Sequence, residues 1–80
     1  MSGDRDEMAK FEALAEAAYG AMYDAPPRGV KDFYDDARSH FTAAIAAAER
    51  AGLAADAARL AARRDHVTAV YNSQFRGVGF

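Results

Sequence analysis

The stretch VKDFYDDARSHFTAAIAAAERA, residues 30–51, predicts one long central helix. Its apolar residues recur at i, i+3, i+4 and i+7, which is the spacing of one helix face. They are Val30, Phe33, Tyr34, Ala37, Phe41, Ala44, Ile45 and Ala48, with His40, Ala47 and Ala51 widening the arc on one side. Since an apolar face this broad needs a neighbouring helix on each side, we expect an all-α, up-down-up three-helix bundle.

The chain has room for one helix before this stretch and one after it. The first helix is expected over residues 4–24, with Asp4 and Glu7 forming a capping box at its start. Pro26 and Pro27 end it because proline cannot donate to a helical ladder, and the central helix then begins between residues 29 and 32. Within the first helix, Gly20 interrupts good helix formers, and we expect it to admit another backbone closely.

The Ala51-Gly52-Leu53 turn predicts a Schellman ending, with a left-handed glycine and Leu53 folding back onto Ala48. A connection this short makes the next helix antiparallel to the central one. We expect the third helix over residues 54–75 and a frayed tail over residues 77–80. The inner face of the third helix carries Leu53, Ala57, Leu60, Val67, Val70, Tyr71 and Phe75.

Composition limits the class of protein. Eighty residues make a single domain, and 21 of them are Ala while three are Leu and one is Ile. With no Cys there is no disulfide framework and no Cys-based zinc site. Residues 2–7 are acidic, unlike a secretory signal, and no apolar run approaches the roughly 20 residues of a membrane span. We therefore expect a soluble, cytoplasmic protein, and the abundance of Ala and Arg favours a bacterial source.

Charge is distributed unevenly along the chain. Residues 1–25 carry six acids and two bases, and residues 53–80 carry two acids and four bases, within a net charge of −2. Opposite charge on the first and third helices predicts attraction between them. The overall negative charge argues against a general nucleic-acid binder.

The central helix and its successor resemble the tetratricopeptide-like helix repeat. The residues that resemble the A-x-x-x-[FY]-x-x-A-[IL] signature of a repeat's second helix are Tyr34, Ala37, Phe41, Ala44 and Ile45. Residues 60–71 resemble the first helix of a following repeat. The resemblance covers roughly residues 30–75, about one and a half repeats. The three-helix outline is also similar to microtubule-interacting and transport domains. Both resemblances imply a protein-interaction module that receives a peptide or helix in a groove.

Arg64 is anomalous because it lies in the middle of the apolar face of the third helix. Glu12 is its counterpart on the first helix, and both lie two to three turns from their own helix starts. We expect an Arg64–Glu12 ion pair near Phe41. Two other interpretations remain open: the side chain runs along the core edge to solvent, or it contacts an anion or ligand.

The partner groove is expected between the first and third helices, with Tyr19, Tyr23, Arg63 and Tyr71 as its residues. The aromatic side chains exceed what three thin, Ala-rich helices need for their core, and those left exposed would mark a partner surface. The partner is an unidentified protein or peptide. A homodimer is the main variant, because so small a domain gains stability by burying apolar surface against a copy of itself.

Enzymatic chemistry is not expected, and neither is a cofactor. No nucleophile elbow, phosphate-cradling Gly loop or H-E-x-x-H motif is present. Asp65 and His66 diverge by about 100° on a helix and form no dyad. Asp32, Asp36 and His40 lie at i, i+4 and i+8, but without ligands from a second helix we interpret them as a solvated face rather than a metal site.

The alternative function is a small nucleic-acid-binding regulator that uses the basic side of the third helix. Arg59, Arg63 and Arg76 make up that side. Spacing around Gly52 allows a helix-turn-helix interpretation, although Asp56 would then face phosphates.

Overall fold

The protein is an all-α three-helix bundle, as the sequence predicts. A computed structural model describes residues 3–75, with α1 at Gly3–Asp24, α2 at Pro27–Arg50 and α3 at Ala54–Val70. A π-helical segment, Tyr71–Phe75, continues α3, and residues 3–75 contain no strand. The tail predicted over residues 77–80 lies outside the described residues. The molecule is elongated, with extents of 46 × 17 × 13 Å along its principal axes.

The central helix begins earlier than its apolar pattern predicts. Pro27 is already its first residue, preceded by Pro26 in an extended conformation (φ −64°, ψ 156°). Proline suits the first helical position because its missing N–H has no intrahelical acceptor there and its φ is preset. The amide of Gly29 donates to the carbonyl of Pro26 at 2.8 Å. The two prolines therefore end one helix and start the next.

The Schellman ending of α2 is confirmed. Gly52 adopts φ +73°, its N–H donates to the carbonyl of Glu49 at 3.1 Å, and the N–H of Leu53 donates to the carbonyl of Ala48 at 2.9 Å. These two bonds satisfy carbonyls that the helix end would otherwise leave without a partner. The chain thus reverses within three residues, which sets α3 antiparallel to α2.

The start of α1 differs from the predicted capping box. Asp4 already lies within the helix, and its carboxylate accepts a hydrogen bond from Arg50 Nε at 3.3 Å. Glu7 accepts one from Arg50 Nη2 at 3.3 Å. Both acids thus tie the first turns of α1 to the end of α2.

Alanines and a few larger side chains fill the centre of the bundle. Phe41 is the largest fully buried side chain, accompanied by Met22, Leu60 and Val67. Five alanines are completely buried: Ala15, Ala37, Ala44, Ala47 and Ala48. Alanine at the contact lets helix backbones approach closely, so the core is narrow and depends on few large side chains.

Gly20 does not serve the close approach predicted for it. It lies on the exposed surface of α1, and a Cβ added there would meet nothing within 4 Å. The prediction of a neighbouring backbone at this position is wrong.

Among residues 3–75, no helix has both the length and the apolarity that crossing a membrane requires.

Candidate functional site

Two bidentate ion pairs join α1 to α3. Arg59 donates to both carboxylate oxygens of Glu12, at 2.6 and 3.1 Å, and Arg63 donates to both of Glu16, at 2.7 and 2.9 Å. Each pair is separated by 47 positions in the sequence, so α1 and α3 run parallel in a fixed register. The attraction predicted from the uneven charge is confirmed.

The predicted Arg64–Glu12 ion pair is wrong. Glu12 is held by Arg59, and Arg64 Nη1 donates instead to Thr42 Oγ1 on α2 at 3.2 Å. Arg64 follows Arg63 by one residue, so its side chain is turned by about 100° away from α1 and towards α2. It is half-buried, which agrees with a stem that lies along the edge of the core.

The error lies in counting turns from the helix starts. In the observed register, Ala54 lies level with Glu7 rather than with the first residue of α1. Because α2 ends at Arg50, opposite Asp4 and Glu7, α3 begins about one turn beyond the start of α1. This shift brings Arg59 and Arg63 level with Glu12 and Glu16.

Aromatic side chains meet at the end of this α1–α3 contact. They form a group that we call the aromatic end cluster: Tyr19, Tyr23, His66 and Phe75. The ring of Tyr19 contacts that of Tyr23 edge-on at 5.6 Å between centroids and that of His66 at 6.3 Å. Tyr23 in turn meets Phe75 edge-on at 5.1 Å. Edge-to-face geometry of this kind is one of the two favoured arrangements of aromatic rings.

Arg63 connects the ion pairs with the aromatic end cluster. Its guanidinium carbon lies 5.0 Å from the centroid of the Tyr19 ring while its nitrogens hold Glu16. The hydrogen bonds to Glu16 raise the pKa of Arg63 further above its usual range, and a guanidinium is charged at neutral pH in any case. The Tyr19 hydroxyl lies 3.1 Å from that of Tyr23, and this hydrogen bond, together with partial burial, raises the pKa of Tyr19 above 10.0.

The π-helical segment decides which residue of the C-terminal region reaches Tyr23. In the register of the ion pairs, Tyr23 is level with Val70, yet the ring that it contacts belongs to Phe75. An i→i+5 ladder widens the turn and changes the direction of the side chains that follow it. Ser73 Oγ donates to the carbonyl of Val70 at 3.3 Å, a local bond of the kind that competes with the regular helix. Apolar periodicity gives no signal for this segment.

Of the four predicted partner residues, the structure brings three together and separates the fourth. Tyr19, Tyr23 and Arg63 share the α1–α3 side, whereas Tyr71 stacks flat on Tyr34 of α2, with centroids 3.9 Å apart and planes 6° apart. The Tyr34 hydroxyl donates to Thr68 Oγ1 at 3.3 Å. Tyr71 therefore belongs to the α2–α3 contact. His66 and Phe75, which complete the aromatic end cluster, were not predicted for the site.

The open part of the α1–α3 side lies at the end that carries Tyr23. The two ion pairs span the middle of the α1–α3 contact, so open surface remains at the end where Tyr23 lies. The side chain of Tyr23 is 52% exposed, the most of any large hydrophobic residue described.

The basic side of α3 is largely engaged within the molecule. Arg59 binds Glu12 and also Asp56 at 3.3 Å, and Arg63 binds Glu16. A phosphate backbone would have to replace carboxylates that both arginines already hold, which disfavours the nucleic-acid alternative. Arg76 lies outside the described residues.

Two surface depressions of the described chain lie away from the aromatic end cluster. One, of about 470 Å³, lies on α2 and is lined by Asp35, Arg38, Ser39 and Thr42. Another, of about 320 Å³, lies at the α2–α3 turn beside Leu53 and Ala57.

Within residues 3–75 no three acidic or histidine side chains are grouped to hold a metal ion. The ring of His40 lies instead against Phe11, at 6.2 Å between centroids.

Comparison of the chain with protein-family models, with curated proteins and with solved structures found no match.

Proposed function

We propose that this protein is a small, non-enzymatic interaction module that binds a peptide or helix of another protein at the α1–α3 end. The observation that carries the proposal is the exposure of Tyr23 between two other aromatic rings. A solvent-exposed Tyr beside Tyr19 and Phe75 offers a rigid apolar face at low conformational cost. Together with Trp, Tyr and Arg are the residue types that most often dominate binding energy in interfaces.

The aromatic end cluster supports a partner with an apolar or aromatic anchor side chain. Such a side chain would cover the exposed ring of Tyr23 and reach Phe75 beside it. Arg63 stiffens the floor of this site, because its guanidinium is fixed by Glu16 and covers the Tyr19 ring. A floor that is already ordered loses little entropy when the partner binds.

The resemblance to tetratricopeptide-like repeats and to microtubule-interacting and transport domains supports the same class of function. Both are helical modules that receive peptides or helices. The proposal includes a cytoplasmic location and a function that is not enzymatic. Tyr71 is assigned a packing role, since it lies against Tyr34 on the other contact of α3.

A displayed peptide library tests the proposal. Wild-type protein and a Tyr23→Ala variant serve as parallel baits, and enriched peptides are then measured by fluorescence anisotropy. We expect peptides with an aromatic or large aliphatic anchor to bind the wild type at least tenfold more tightly than the variant, which corresponds to about 1.4 kcal/mol. Leu14→Ala is the matched control, because it removes an exposed apolar side chain from a part of α1 that faces away from α3. Equal enrichment by wild type and Tyr23→Ala would overturn the proposal.

A further inference from the structure

Among residues 3–75, α3 covers one side of the α1–α2 hairpin and no element covers the other. On the opposite side Leu14 of α1 is 41% exposed and Phe33 of α2 is 37% exposed. With Tyr23 they are the three exposed large hydrophobic residues among residues 3–75. Two of the three therefore lie on a helix surface that nothing in the described chain covers.

The stacked rings of Phe11 and His40 fix where these two side chains lie. Leu14 follows Phe11 by three residues, so it lies on the same side of α1, about 4.5 Å further along the helix axis. Phe33 precedes His40 by seven residues, two helical turns, and therefore lies on the same side of α2 as His40, about 10 Å along the axis. Because α1 and α2 are antiparallel, both displacements run in the same direction. Together these residues form a continuous stripe, which we call the outer seam: Phe11, Leu14, Phe33 and His40.

Opposite charges border the outer seam on its two edges. Lys10 lies on the α1 edge, with its ammonium 5.9 Å from the centroid of the Phe11 ring. Asp36 lies on the α2 edge, one turn from His40. Neither side chain takes part in an ion pair within residues 3–75. The ion pairs that α1 makes there are with Arg50, Arg59 and Arg63. The imidazole Nδ1 of His40 is buried at the same place without a hydrogen-bond partner in the described chain.

We propose that a second copy of this chain docks on the outer seam and forms a two-fold symmetric dimer. A two-fold axis parallel to the helices sets α1 of one copy against α2 of the other. The outer seam of each copy then covers the outer seam of the other. In this arrangement Lys10 of each copy faces Asp36 of the other, about 6–8 Å apart along the helix axis. That distance is within the reach of a lysine side chain.

Self-complementarity of charge favours a second copy over an unrelated partner. In an isologous interface the same patch of both copies must match itself after rotation. The outer seam meets this condition, because its cationic edge then faces the anionic edge of the other copy at two equivalent places. The small core adds a reason, since a short Ala-rich chain gains stability when an exposed Leu and Phe are removed from water. The outer seam and the aromatic end cluster lie on different sides of α1, so the dimer does not depend on the proposed peptide site.

Sedimentation equilibrium over a wide range of protein concentration tests the dimer. We expect a monomer–dimer equilibrium in the wild type, weakened at least tenfold by Leu14→Gln and by Phe33→Gln. Tyr23→Gln is the matched control, because it removes the third exposed hydrophobic residue but leaves the outer seam intact. Circular dichroism establishes that each variant keeps its helices.

Charge reversal tests the two-fold arrangement. Lys10→Asp and Asp36→Lys should each weaken self-association, since each variant then sets like charges against each other. An equimolar mixture of the two variants should form a heterodimer, because both cross-pairs are again opposite in sign.

Three results would overturn the inference. The first is a wild type that stays monomeric at every concentration, and the second is a dimer that responds to Tyr23→Gln but not to the seam variants. The third is a mixture of the charge variants that associates no better than either alone. The first and third results leave the proposed peptide site at Tyr23 untouched, whereas the second would place the dimer contact at the aromatic end cluster.

Discussion

Truncation of Phe41 should remove much of the stability of this domain. The ring is fully buried and central in the bundle, and Phe→Ala at such a site costs about 3–5 kcal/mol. A chain of 80 residues has a total free energy of unfolding of about 4–12 kcal/mol at 0.05–0.15 kcal/mol per residue. Phe41→Ala therefore removes between a quarter and all of it. At about 4–8 °C per kcal/mol, the Tm falls by roughly 12 °C or more.

Phe33→Ala provides the control, because it makes the same chemical change eight positions earlier on the same helix. Phe33 is 37% exposed, so its truncation leaves an open notch rather than a closed cavity and should cost about 1–2 kcal/mol. The assay is urea denaturation followed by circular dichroism, at the lowest protein concentration that the signal allows, so that association does not contribute. Equal losses for the two variants would refute the placement of Phe41 at the centre of the core.

Two further substitutions examine the helix surfaces. Gly20→Ala should raise the free energy of unfolding by up to about 1 kcal/mol, because Ala is the better helix former and the new Cβ meets nothing within 4 Å. A loss of stability in urea denaturation would contradict the open surface around Gly20. A double-mutant cycle of Glu16→Gln and Arg63→Gln should give a coupling of about 0.5–1 kcal/mol that declines in high salt, since these side chains are 36% and 38% exposed. The more exposed Lys31–Asp35 pair should couple more weakly, and a larger coupling there would argue against the importance of bidentate geometry.

The parts of the fold that depend on local chemistry were predictable from the sequence. The broad apolar face around Phe41 required flanking helices, and Gly52 marked the Schellman ending because only glycine adopts its φ at low cost. The start of α2 was misplaced because apolar spacing says nothing about Pro27, whose own chemistry suits a first helical position. Periodicity finds the faces of helices better than their ends.

Pairing between helices was predicted in kind but not in detail. Uneven charge along the chain indicated that α1 and α3 attract each other, yet it could not select Arg63 over Arg64 as a partner for α1. A shift of one residue turns a helical side chain by about 100°, and the relative height of α1 and α3 depends on where α2 ends. The same limitation misplaced Tyr71, which points to α2 once the register is fixed, and hid Phe75, whose position depends on the π-helical segment.

The ion pairs and the outer seam share one cause, which is a shortage of large apolar side chains. Alanines bring α1 and α3 close to α2, but their methyl groups are too short to fill the space between α1 and α3. The long stems of Arg59 and Arg63 bridge that space, and their charges are satisfied by Glu12 and Glu16. Within residues 3–75 no helix covers the other side of the hairpin, so the few large apolar residues there stay partly exposed to water. The chain therefore closes one side of its hairpin with arginine, and our dimer proposal follows from the side that it leaves open.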